Sequence, residues 1–120
     1  MRRQLLTDRT LNALSQGKMI TDAKIPGFVA RRHAHGESIY LQLRYRSPIE
    51  RSFNGHGFRQ RVLTLGRWGR DGLDLDEARE IALLYKEAVR SGRCPATERD
   101  ERKRASRGIR AVQEAFQVSA

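Results

Sequence analysis

Only one cysteine, Cys94, occurs in the 120 residues. No internal disulfide framework can form and no cysteine-based zinc site is available, which fits a reducing compartment. Long apolar runs are missing as well. No stretch approaches the length of a secretory h-region or a membrane span, and the opening "MRRQLLTDRT" turns polar directly after its basic start. The expectation is a cytosolic protein with no membrane partner. Motifs of catalysis are also wanting: there is no Gly-rich phosphate loop, no G-x-S-x-G elbow and no H-E-x-x-H pair. The chain does not read as an enzyme. Internal repeats and low-complexity tracts are absent too.

Acids are scarce beside bases, 14 Asp and Glu against 24 Lys and Arg, for a formal net charge of +10. Such an excess is either plain solubility or the electrostatic footprint of a polyanion binder. Lysine is scarce beside arginine, 4 against 20, and arginine favours planar, bidentate recognition of phosphate or guanine edges.

The length suits one domain with one modest core. Thr7 or Asp8 is placed to N-cap a short helix that carries Leu11 and Leu14 on one face and ends at Gly17. The period then changes. Pro26-Gly27 marks a turn between a short strand near Met19 to Asp22 and a second from Phe28, and "HGE" supplies the next turn. The segment "SIYLQLRYR" is the clearest strand, with Ile39, Leu41, Leu43 and Tyr45 on one face and Tyr40, Gln42, Arg44 and Arg46 on the other. By its Pro48, "NGHG" and mixed polarity, "SPIERSFNGHGFRQ" reads as a long mobile loop. It leads into "RQRVLTLGRW", a strand with Leu63 and Leu65 facing the core.

The strongest helix is "RDGLDLDEAREIALLYKEAVRSG", where Asp74 and Glu77 form a capping-box-like pair and Gly92 is the stop. Leu75, Ala78, Ile81, Ala82, Tyr85, Ala88 and Val89 make its apolar stripe. After Pro95, "TERDERKRASRG" reads as a charged linker or an exposed helix extension, and the final segment sets Ile109, Val112 and Phe116 on a helical face. The expected fold class is α+β: a small three- to four-stranded antiparallel sheet packed on one long C-terminal helix, with a short N-terminal helix. Residues 1–95 make the domain and 96–120 the linker. One sheet face stays open.

Charge is divided unevenly. From Leu41 to Arg70 there are seven arginines and one acid, Glu50; from Asp71 to Arg90 six acids face three bases. An outward strand pair carrying Gln and Arg suits a DNA major groove, where a bidentate Arg–guanine contact discriminates by roughly 1–3 kcal/mol. The candidates are Arg31, Gln42, Arg44 and Thr64 for base edges, with Arg46, Arg59, Arg61 and Arg67 against phosphate. Within "RVLTLGRW" the odd positions share a face, so Arg61 and Arg67 have the parity of Leu63 and Leu65. The expectation is that Arg61 lies at a frayed strand edge, its stem covering apolar surface, and that Arg67 projects past the strand end after Gly66.

Other side chains point to less. His33, His35 and His56 have no ligand-like acid or cysteine spaced near them, so neither metal nor cofactor is expected. Tyr45 and Trp68 belong with the core or a loop, and Tyr40 alone among the aromatics points with the basic residues.

In this order, "ITDAKIPGFVAR", "IYLQLRYR", "RVLTLGRW" and "LDLDEAREIALLYKEAVRSGRCP" resemble the N-terminal arm-type DNA-binding domain of phage and genomic-island tyrosine integrases, from about Leu6 to Pro95. The "TLGR" plus "L-x-x-EAR" pair is the most specific part. The resemblance implies a small antiparallel sheet on a helix, with the sheet laid into the major groove of double-stranded DNA at arm-type sites. It places the family's "YR" on Tyr45 and Arg46, "TLGR" on Thr64 to Arg67 and "EAR" on Glu77 to Arg79, with Arg46 and Arg67 as contacts and Leu65, Gly66 and Ala78 as structural positions. Other integrase protomers, accessory DNA-bending proteins and a bacterial cytoplasm or nucleoid are implied in the same way. So is a catalytic domain for which this chain has no room. Two departures stand out: the stretch from Ser47 to Gln60 is longer than the usual connection, and Cys94 stands where an acid is general. A protein-interaction or oligomerisation module with an acidic partner is the competing reading, followed by RNA binding.

Overall fold

The period-2 alternation of "IYLQLRYR" builds the longest strand of a computed structural model that describes residues 3–118, with side chains from residue 4 to residue 108. The elements run β1 (Arg3–Gln4), α1 (Asp8–Asn12), β2 (Met19–Asp22), β3 (Phe28–Arg32), β4 (Ile39–Arg51), β5 (Phe58–Arg67), α2 (Leu75–Arg90) and α3 (Pro95–Val118). The sheet has the order β1-β2-β3-β4-β5; β2 to β5 form an antiparallel meander, and β1 adds a two-residue parallel pairing to β2.

Both C-terminal helices cover one face. Phe28, Ala30, Ile39, Leu41 and Leu43 pack there against Leu75, Ala78 and Ala82 of α2, closed off by Leu6, Leu11 and Ile25. A second cluster joins Leu63 to Cys94 and Ala96 at the start of α3, flanked by Tyr45, Leu65 and Tyr85. The expected single helix is therefore two. Their junction has a physical cause: Gly92 takes φ 95° after the Ser91 cap, and its N–H and that of Arg93 close back on Val89 and Ala88 carbonyls, a Schellman arrangement that stops α2. Pro95 then opens α3, where its missing N–H costs nothing, and the charge-dense stretch behind it is rich in good helix formers. The expected apolar face of Ile109, Val112 and Phe116 lies outside the described side chains.

The segment expected to be one long loop is mostly strand. β4 continues to Arg51 and β5 starts at Phe58, leaving a turn of 52–57. Regular pairing lapses between Arg46 and Arg51. There Pro48 has no N–H to donate, and Ser47 Oγ accepts from the N–H groups of Ile49 (3.2 Å) and Glu50 (3.0 Å) instead.

Asp22 ties the N-terminal segment down. Its buried carboxylate accepts from Leu6 N (3.1 Å) and Ile25 N (3.1 Å), and Arg79 Nε lies 3.8 Å from it while Arg79 Nη2 donates to the Leu6 carbonyl. At the other end of the sequence signals, Thr7 and Thr10 make a reciprocal capping box for α1, and Asp74 Oδ1 accepts from Glu77 N at 2.8 Å to cap α2.

Candidate nucleic-acid interface

Directly paired residues on neighbouring strands share a sheet face, so the register defines what the helix-free face presents. One row is Met19, Arg31, Tyr40 and Arg67; the next is Thr21, Val29, Gln42 and Thr64. Arg44 beside Val62, Arg46 beside Gln60 and Arg51 beside Phe58 continue the face along the two longest strands. None of these residues is acidic. Six sequence candidates, Arg31, Gln42, Arg44, Arg46, Thr64 and Arg67, are thereby brought together.

Arg67 reaches this face through a slip in register. Leu41 pairs with Gly66 but Gln42 with Thr64, which makes Leu65 an extra residue, a β-bulge, and inverts the parity of the residues after it. Expected past the strand end, Arg67 is instead the last residue of β5 and pairs with Tyr40. Its backbone is held, since Trp68 N donates to the Ile39 carbonyl at 2.8 Å and Leu73 N to the Arg67 carbonyl at 2.8 Å. On the other side of the sheet a Cβ on Gly66 would lie 2.7 Å from Leu73 Cδ1, so any larger residue there makes the Leu73 side chain shift.

Arg31, Arg46, Thr64 and Arg67 are exposed, whereas Tyr40, Gln42 and Arg44 are half-buried by their neighbours. Gln42 Nε2 donates to Thr64 Oγ1 at 3.3 Å. Its Oε1 and the Nε of Arg44 have no protein partner. Both atoms are shielded from solvent, so it is the exposed ends of Arg31, Arg46, Thr64 and Arg67 that this face offers to groups from outside the chain.

Arg59 and Arg61 alternate onto the opposite side. Arg61, paired with Tyr45, is half-buried and not at a frayed edge; its Nη2 donates to Asp100 Oδ2 of α3 at 2.8 Å, and its Nε lies 4.0 Å from Glu50. Burial pulls its guanidinium downward, but the Asp100 hydrogen bond and the Glu50 charge outweigh that and hold it above its ordinary value. Arg59 Nη1 reaches Glu50 Oε2 at 3.3 Å.

Glu50 also accepts from Thr97 Oγ1 and Cys94 Sγ. The Thr97 hydrogen bond, followed by that of Cys94 and the Arg61 and Arg59 charges, keeps its carboxyl below the usual range despite the opposing effect of burial. Tyr45 Oη accepts from Ala96 N at 2.9 Å, and Arg99 Nη1 donates to the Thr64 carbonyl at 2.6 Å. These contacts bind α3 to β4 and β5. The sole acid of the basic stretch is therefore engaged on the helix side.

The histidines form no centre. His35 N donates to His33 Nδ1 at 3.1 Å with the rings edge to face, and among the described residues no group of three or more His, Cys, Asp or Glu could hold a metal. Among those residues no helix is long and apolar enough to cross a membrane. Sequence reasoning missed Arg51 and Phe58 as members of the open face. The alternation back from Thr64 through Val62 and Gln60 was the signal, hidden by reading 47–60 as a loop.

Residues 6–102 match the family model described as an arm DNA-binding domain, and the chain belongs to that family. No curated protein and no solved structure matches it.

Proposed function

We propose that this arm DNA-binding domain lays the helix-free face of its sheet into the major groove of double-stranded DNA and recognises arm-type sites for a phage-type tyrosine integrase. The observation that carries this is the row of Arg31, Tyr40 and Arg67 beside the row of Gln42 and Thr64, with no acid on that face. A groove about 12 Å wide accepts a two-stranded ribbon. Gln42, Arg44 and Arg31 stand where base edges would lie, with Thr64 beside Gln42; Arg46 and Arg67 stand toward phosphate. Arg59 and Arg61 are assigned to fixing α3 and not to DNA. Strand exchange belongs to a catalytic domain of the longer integrase, with other protomers and DNA-bending proteins as partners there. Residues 1–95 serve as the arm-site module and 96–120 lead toward the core-site-binding domain.

The test uses a duplex enriched by this chain from a random 20-base-pair library, compared with a scrambled duplex across a salt series. Specific binding that persists as salt rises supports arm-site reading. Equal, steep loss with both duplexes means that only the sequence-independent phosphate attraction operates. The double substitution Gln42→Ala plus Arg44→Ala is expected to abolish the preference; unchanged affinity and preference would put the recognition face elsewhere.

A further inference from the structure

The β4–β5 ribbon outruns the rest of the sheet. β3 pairs with β4 only from Ile39 to Leu43, while β5 follows β4 as far as the Arg51–Phe58 pair. Beyond Arg44 the open face is therefore carried by two strands alone. Ten residues of β5 span about 30 Å at the usual rise, close to the roughly 34 Å of a full DNA turn. The major groove winds about its axis over that distance, so a ribbon of this length stays in the groove for only part of it. With the open face laid in that groove, the far end of the ribbon would come to a sugar-phosphate strand.

That far end has its own chemistry. Phe53 at the tip is 97% exposed, with Ile49 and Phe58 also exposed behind it. Arg51 is stacked 4.6 Å from the centre of the Phe58 ring, and Arg59 lies 5.4 Å from that of Phe53. The turn is pinned: Ser52 Oγ donates within reach of Asn54 Oδ1 (2.5 Å) and the His56 carbonyl (2.6 Å), His56 N donates to Asn54 Oδ1 (3.0 Å), and Ser52 N to the Gly57 carbonyl (3.1 Å). Phe53 is thus held out in solvent beside Arg59, with Arg51 over the neighbouring Phe58 ring and Glu50 turned to the helix side. Burial in the fold does not account for it.

Resting on the reading of the open face as the DNA face, we propose that the hairpin tip is a second DNA-binding element: Arg51 meets the phosphate strand that borders the major groove, and Phe53 enters the adjacent minor groove. Apolar side chains inserted from cationic elements at that groove wedge base steps apart, and leucine serves there as phenylalanine does.

The experiment uses the full chain and the duplex it enriches from the random library, footprinted with hydroxyl radicals for the sugar edge and dimethyl sulfate for the major groove. Wild type is expected to protect a central major-groove patch and a separate minor-groove patch to one side. Phe53→Ala and Arg51→Ala each lose the flanking patch and about tenfold in affinity while keeping the central one, and Phe53→Leu retains both. If Phe53→Ala binds and footprints as wild type does, the hairpin proposal falls and the reading of the sheet face stands. If the chain enriches no duplex, both fall.

Discussion

Arg67 and Tyr40 are direct cross-strand partners on the sheet face opposite the helices, although Arg67 has the parity of the core residue Leu63. The extra residue Leu65 inverts the alternation between them. Without that bulge the guanidinium would point into the helix side, where Leu73 closes over Gly66. With it, Arg67 joins Arg31 across Tyr40 and the open face gains a second exposed cation in that row.

Arg46→Ala and Arg67→Ala are each expected to weaken duplex binding and to reduce the slope of log affinity against log salt by about one, as the removal of a single phosphate-neutralising cation does. Fluorescence anisotropy with a labelled duplex across a salt series measures both. Arg61→Ala serves as the contrast: with its charge already matched by Asp100 and Glu50, it lowers the melting temperature and leaves the salt slope as in wild type.

Gly72→Ala is expected to destabilise the chain by about 2 kcal/mol or more. A Cβ there would sit 1.9 Å from the Arg67 carbonyl oxygen, and a backbone atom cannot rotate away. Urea unfolding reads the loss. Wild-type stability in this variant would mean that the loop after β5 does not return under the strand end.

Asp22→Ala leaves the N–H groups of Leu6 and Ile25 without their acceptors and Arg79 without its carboxylate. Each buried orphan costs about 1–3 kcal/mol, so the loss is large on the scale of a domain this size. Asp22→Asn keeps one carbonyl acceptor and is expected to fall between the two. Amide exchange should locate the extra opening at β1 and α1.

Glu50→Gln removes the charge shared by Arg59 and Arg61 and loosens α3. The same contact carries a pH dependence. Because the folded carboxyl is held below its ordinary value, the stabilisation is fully present above the usual carboxylate range of about pH 4–5. It is lost as pH falls through the depressed value. Cys94 is the reporter: buried at 1% exposure in wild type, its thiol should react slowly with an aromatic disulfide reagent at neutral pH. In Glu50→Gln that reaction should be faster. Equal rates in the two proteins would show that Glu50 does not hold α3.

Much of this architecture is written in local pattern. Ile39, Leu41 and Leu43 point inward because a strand alternates with period two, and Leu75, Ala78 and Ala82 do so because a helix repeats near four. Asp74, Gly92 and the turn at Pro26-Gly27 act within a few residues of themselves, and the arginine excess is visible without any fold. For these the sequence alone determined an α+β domain with one cationic and one covered sheet face.

What depends on distant partners was decided only in the tertiary structure. Arg61 shares the parity of Leu63, but it is tied to the helix side and not free for solvent because Asp100, 39 residues further on, meets it there. The charged stretch after Pro95 is a docked helix because Cys94 and Ala96 find Leu63 and Tyr45. Arg67 faces outward because of a slip in pairing at Leu65, and a bulge is a property of two strands. Composition and periodicity report what a residue prefers, whereas register and packing settle which neighbour it gets.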